Sequence, residues 1–422
     1  MSNSMEKAWL RFYDLAWKGA IPFLSKNKRL SEGLDQRKLE QKLPKADIWI
    51  QAASAGEAYL VQTILKMIDF PKPVHILVTS NTRQGMDIVS GTILEMAQKK
   101  YMKISSAYFP FDRPSIMKQA VKQVSPILMV LLESELWPGL LWELKQSGSK
   151  ILVINGRMNA KSLRHYQLWP SFWKSLAPDK IYAVSHEDAG RFGALFGKDK
   201  VCVVPNIKFD RINTERQQSE VVESIKRILS SEIPFLVLAS IRKEEETLIL
   251  KMIQKILADH PKMVIGLFPR HMHRLCQWQK TLNMSGLPWK LRSGIIHPQA
   301  AGTVLLWDRF GELAASYHMA SAVFVGGSLV ALGGQNFLEP LMCGVIPVTG
   351  PHWNNFYWVG RQIMALGLVR LTEDWKSASD ILVKTLKTPL PRKSVRSKAL
   401  DYVRKRRGGT RKACELICQY IA

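Results

Sequence analysis

Residues 326–340 read GGSLVALGGQNFLEP and follow the short apolar run AVFV at 322–325. A run of this length with no polar interruption suits a strand buried on both faces, the kind found in parallel sheets. Gly326 and Gly327 then remove side chains where backbone must come close to something, and a second pair, Gly333 and Gly334, follows. The stretch predicts a helix with Asn336 near its start and Glu339 one turn later on the same face. Unpaired N–H groups at a helix start favour an anion, and a carboxylate one turn in can hold sugar hydroxyls. The plainer reading is a tight turn into a capped helix, and the motif alone does not choose between the two.

The same rhythm recurs outward from this stretch. Apolar runs at 48–53, 74–79, 127–132, 151–154, 180–184 and 201–204 alternate with longer helix-like stretches, a parallel α/β pattern. After a polar connection at 213–226, containing Thr214, Glu215, Arg216, Gln217 and Gln218, it restarts with runs at 235–239, 263–268, 303–306, 322–325 and 345–348. The 422 residues also exceed what one hydrophobic core usually serves. The predicted organisation is an N-terminal amphipathic, membrane-associating segment over 1–45, a Rossmann-like domain over 46–212, and a second over 213–422 that ends in a basic helix. The helical tail at 393–412 could by itself close either domain.

Composition narrows the partners. Against 35 acidic residues stand 60 Lys and Arg, a net charge of +25 that favours nucleic acid, an acidic membrane face or phosphorylated substrates. Nucleic acid ranks last, because the cations are dispersed and no aromatic-rich recognition motif accompanies them. The five cysteines, Cys202, Cys276, Cys343, Cys414 and Cys418, are odd in number and mostly far apart, which suits reduced thiols in a cytoplasmic protein. No zinc set is present, His271 and His273 have no acid cluster nearby, and no Asp-x-Asp pair occurs, so neither a metal nor a cofactor is expected.

The N-terminus carries Trp9, Leu10, Phe12, Tyr13, Leu15, Trp17, Ile21, Phe23 and Leu24, interrupted by Arg11, Asp14 and Lys18. That is too polar for a spanning helix or a signal peptide. Two readings stay open: an interfacial helix held to anionic lipid by Lys26, Lys28, Arg29, Arg37 and Lys38, or a helix packed on its own domain.

Ligands of open parallel sheets bind beyond the carboxyl ends of the strands. Those positions hold Ser54, Gly56 and Glu57; Thr79 to Thr82; Glu133, Ser134 and Glu135; and Asn155, Gly156 and Arg157 in the first half. In the second half they hold Ser240, then Arg270 and His271, Asp308, and the glycine pairs. Carboxylates collect in the first half and phosphate-type ligands in the second.

In this order the residues resemble the Kdo transferases, which add 3-deoxy-D-manno-oct-2-ulosonic acid (Kdo) to lipid A precursors. The resemblance runs from about residue 50 to 360 and rests on the segments at 54–57, 109–112, 133–138, 155–157, 206–210, 269–271, 311–313, 326–340 and 350–356. It implies the GT-B architecture, two Rossmann-like doubly wound domains with an interdomain cleft. It also implies metal-free, inverting transfer from CMP-Kdo to a lipid A precursor, by a peripheral or monotopic enzyme on the cytoplasmic face of the bacterial inner membrane.

On that resemblance Glu57 is the expected general base and Glu135 the second catalytic acid. Ser54, Gly56, Glu133 and Arg157 are expected on the acceptor side. Arg270, Ser240, Lys208, Gly327, Ser328, Asn336 and Glu339 are expected on the donor nucleotide, with Arg270 on its phosphate. If Glu133 and Glu135 alternate in a strand they point to opposite faces, so only one enters the cleft unless the strand has ended. The chain departs from the family's usual pattern at Ala55, at Val204 and Pro205, at residues 241–244 (IRKE, where a small residue, histidine and glycine are usual), and at Arg309 and Phe310. Two other readings are a GT-B enzyme using a different nucleotide sugar and a non-catalytic membrane-surface binding protein of the same fold.

Overall fold

The computed structural model describes residues 2–27, 30–214, 220–388 and 390–421. Lys28 and Arg29 of the basic flank, and Glu215, Arg216, Gln217 and Gln218 of the polar connection, lie outside the described residues. The chain forms two units, one comprising residues up to Arg211 together with those from Arg406 onward, the other Ile212–Lys405.

The first unit is built on strands β1 (Ile48–Ala52), β2 (Val74–Ser80), β3 (Met102–Tyr108), β4 (Leu128–Leu132), β5 (Lys150–Gly156), β6 (Lys180–Ala183) and β7 (Val201–Val203). They form one parallel sheet in the order β3-β2-β1-β4-β5-β6-β7. Side chains alternate across it: Ile48, Ile50 and Ala52 share one core with Leu128, Val130 and Leu132, while Trp49, Met129 and Leu131 enter the other. Cores on both faces explain why β4 reads as an unbroken apolar run and β1 as one interrupted only by the buried Gln51.

The second unit repeats the plan with β8 (Phe235–Ile241), β9 (Val264–Pro269), β10 (Trp289–Leu291), β11 (Val304–Leu306), β12 (Ala322–Val325), β13 (Pro347–Thr349) and β14 (Arg370–Leu371), again all parallel, in the order β10-β11-β9-β8-β12-β13-β14. Three strands were not expected from the sequence, namely β3, β10 and β14. All three are sheet edges, either only partly buried or two to three residues long, so none carries a run of uninterrupted apolar residues.

The expectation for the C-terminus changes. The basic tail is two helices, Arg392–Arg404 in the second unit and Gly409–Gln419 in the first, so the second domain does not run to the end of the chain. Ala413, Cys414, Leu416 and Ile417 join the core formed by Leu60, Val61 and Ile64 of helix Ala55–Met67. Asp210 anchors the returning chain: its carboxylate accepts from the N–H of Gly408 (2.8 Å) and from both the N–H and hydroxyl of Thr410 (2.6 and 2.7 Å). A side chain at Gly409 would strike the Pro205 carbonyl, so only glycine lets the helix start this close.

The N-terminal helix Ser2–Leu24 packs on its own unit. Trp9 lies against Phe172, with ring centroids 4.4 Å apart; Tyr13 donates its hydroxyl to the buried Asp112 (3.0 Å), and Asp14 pairs with Arg113 (3.0 Å). Phe12, Leu15 and Phe23 stay 65–77% exposed. No described helix is long and apolar enough to cross a membrane.

Candidate active site

The strand order reverses between β1 and β4 in the first unit, and between β8 and β12 in the second. Such reversals open a crevice at the carboxyl ends of the strands. The expected site residues collect at these two points.

In the first unit, Ser54 caps helix Ala55–Met67. Its hydroxyl accepts from the Glu57 N–H (3.4 Å), and its own N–H donates to Glu57 Oε2 (3.1 Å), a reciprocal capping box. The expected base therefore also serves as a helix cap. Glu57 is 9% exposed, and burial, then the charges of Glu135 and Glu133, push its carboxyl up to about 8 despite donation from the amides of Ser54 and Ala53. A side chain at Gly56 would meet only the Ser54 hydroxyl, leaving the start of this helix open on that side.

Strand β4 ends at Leu132, and Glu133 adopts a left-handed φ of 55°. Glu133 and Glu135 therefore both lie beyond the strand, the condition under which alternation no longer separates them. Glu135 Oε2 accepts from the Trp137 indole N–H at 2.7 Å. Burial chiefly raises the Glu135 carboxyl, the indole pulls it back, and Glu133 raises it again. Glu133 instead takes cations: Lys208 Nζ at 2.5 Å and Arg157 at 3.7 Å. Lys208, expected on the nucleotide, is thus bound to an acid of the first unit.

In the second unit the glycine stretch differs from expectation. Its helix is only Leu338–Met342, and the negative group held by the loop amides before it is the protein's own. Glu245, fully buried, fills that role from within: Oε2 accepts from the Gly327 N–H (2.5 Å) and Oε1 from those of Ser328 and Leu329 (2.8 Å each). Ser328, expected on the donor nucleotide, is also buried, its hydroxyl donating to the Val325 carbonyl (2.7 Å) and accepting from the Gly350 N–H (2.9 Å). Gly327 holds the turn with a φ of 68°, and its N–H is taken by Glu245.

Of the other expected donor residues, Asn336, Glu339 and Arg270 interact with one another. Asn336 donates to Glu339 Oε1 at 2.8 Å and accepts from the Leu338 N–H at 3.1 Å. Burial raises the Glu339 carboxyl, with Asn336 and the Arg270 charge working against it. Arg270 is exposed just past β9, its backbone N–H bonded to the Ile241 carbonyl (2.8 Å). Ser240 is held at a φ of 55° where β8 loses register with β9. Glu245 was missed by sequence reasoning because nothing local marks an acid near a strand end as the partner of amides 83 residues away.

Residues 18–211 match the family described as 3-deoxy-D-manno-octulosonic-acid transferase (kdotransferase). The 3-deoxy-D-manno-octulosonic acid transferase of Haemophilus influenzae is 27% identical over 90% of this chain and 88% of its own length. The one from Bordetella pertussis is 28% identical over 89% and 88%. Among solved structures, a glycosyltransferase from Rickettsia africae covers 90% of this chain and 99% of its own with a TM-score of 0.57 at 11% identity, a likeness of fold. The fold is GT-B, two parallel-sheet α/β domains of seven strands each.

Proposed function

Because this glycosyltransferase resembles the Kdo transferases over nine tenths of its length, we propose that it moves Kdo from CMP-Kdo to a hydroxyl of a lipid A precursor with inversion. Glu57 carries the reading. It is a carboxyl at the point of strand reversal, raised by burial and two neighbouring acids to about 8, where a group can exchange protons near neutral pH. As carboxylate it takes the acceptor hydroxyl proton while that oxygen bonds to the anomeric carbon of Kdo. The bond from that carbon to the phosphate oxygen breaks, and CMP leaves with the electron pair. Glu135 orients the acceptor and keeps Glu57 basic by like charge. Arg270 faces the charge that grows on the departing phosphate, with Glu339 and Asn336 on the ribose.

The acceptor is lipid-linked, and the N-terminal helix suits that. Exposed Phe12, Leu15 and Phe23 lie near Lys18 and Lys26, so this helix rests on the anionic inner-membrane surface from the cytoplasmic side. The decisive experiment is incubation with CMP-Kdo and a tetraacylated, bisphosphorylated glucosamine disaccharide, followed by mass spectrometry of the lipid. Added Kdo is the expected result. Release of CMP only with some other acceptor, or transfer only from another nucleotide sugar, would replace this reading.

A further inference from the structure

An anion bound by the second unit would ordinarily be sought at the amides of its glycine loop, but Glu245 already occupies the N–H groups of Gly327, Ser328 and Leu329. A second negative group there would meet a buried carboxylate. The positive charge lies at the ends of the two neighbouring strands instead.

Arg242 follows β8 and Arg270 follows β9. Ile241 and Pro269, the residues just before them, are register partners, so the two arginines leave the sheet one strand spacing apart, on the β9 side of the β8–β12 reversal. Ser240, in the left-handed region without being glycine, redirects the chain two residues before Arg242. Such a conformation is strained for a residue with a side chain and is retained where the surrounding structure needs the direction it sets.

Arg242 is poorly satisfied within the protein. Its Nε is buried without a hydrogen-bond partner, and its ion pair with Glu244 is a loose one at 3.8 Å. Its Cγ lies 3.6 Å from where a side chain on Gly327 would begin, which places the arginine stem against the glycine loop. The Arg270 guanidinium makes no hydrogen bond among the described residues. Both charges act on His271, which they and its slight burial hold below its ordinary value, so the two guanidinium groups share one neighbourhood.

We propose that Arg242 and Arg270 form a two-arginine clamp for the phosphate of the bound nucleotide, and that Glu245 takes the loop amides out of anion binding. The proposal rests on the donor reading above and adds to it a binding residue, Arg242, that belongs to this chain's departure at 241–244. Two planar donor forks suit a phosphate, whose oxygens accept in pairs.

The test is calorimetric binding of CMP, cytidine and inorganic pyrophosphate to the full chain and to Arg242→Ala, Arg242→Lys and Arg270→Ala. Loss of a charge-assisted contact should weaken CMP about ten- to hundredfold in Arg242→Ala. Arg242→Lys should fall between, and cytidine, which has no phosphate, should not change. Arg242→Gln keeps the first two methylenes of the stem without the charge and gives the same comparison if the alanine variant does not fold. CMP binding within twofold of the parent in Arg242→Ala, with Arg270→Ala weakened, overturns the clamp and leaves the donor reading standing. If the parent ignores CMP but binds pyrophosphate, and Arg242→Ala loses it, the clamp stands and the cytidylate reading falls. Binding of neither anion ends both.

Discussion

Lys208 Nζ lies 2.5 Å from Glu133 Oε1, so of the three acids gathered where the first sheet reverses, Glu133 holds cations, while Glu57 and Glu135 are held by N–H groups. Their arrangement separates an acid paired with cations from two whose carboxyls burial raises. Removing the Lys208 charge exposes Glu133 and pushes the Glu57 carboxyl higher. Lys208→Met should therefore move the alkaline rise of the pH–rate profile upward, each pKa unit lowering the ionised fraction at pH 7 about tenfold. A profile that coincides with the parent's would separate Glu133 from the Glu57 proton.

Glu57→Gln keeps the side-chain shape and one acceptor for the Ser54 N–H, but cannot take a proton. Turnover should fall about 100- to 10,000-fold while CMP affinity stays unchanged, measured by CMP release and by binding. Near-normal turnover would remove Glu57 from the base role and leave it a helix cap.

The same group makes a stability prediction of definite sign. Its folded value of about 8 stands above the ordinary 4.5, so the folded protein holds a proton that the unfolded chain has lost. Stability from this residue is present below pH 4.5 and is lost as pH rises to about 8. Glu57→Gln, which does not titrate, should gain on the parent across that window. Urea midpoints at pH 5 and pH 9 test this, and a gap that does not widen with pH would contradict the shift.

Arg270→Ala should weaken CMP about ten- to hundredfold and leave cytidine unaffected, with the nucleotide's affinity in the parent falling as salt rises. Unchanged CMP affinity would take Arg270 away from the phosphate.

Glu245→Gln replaces an acceptor oxygen with an NH2 group facing a backbone N–H in a fully buried site. One unmet donor costs about 1–3 kcal/mol, so the denaturation midpoint should fall while Glu245→Asp, which keeps the charge, recovers part of it. No loss of stability would mean that the glycine loop holds its shape without this carboxylate.

The amino-acid sequence by itself determined the two parallel sheets and put the candidate site residues just past the strand ends, because a strand buried on both faces is mostly apolar along its length and polar residues resume where it emerges. Edge strands such as β10 and β14 escaped notice for the converse reason, being too short to need such a run. Only the tertiary structure decided who meets whom. Glu245 reaches Ser328 across 83 residues, Lys208 reaches Glu133 across 75, and Asp210 draws Thr410 back from 200 residues away. A carboxylate carries no local mark of which distant donor will neutralise it, since that partner is set by the packing of whole elements rather than by the spacing of residues along the chain.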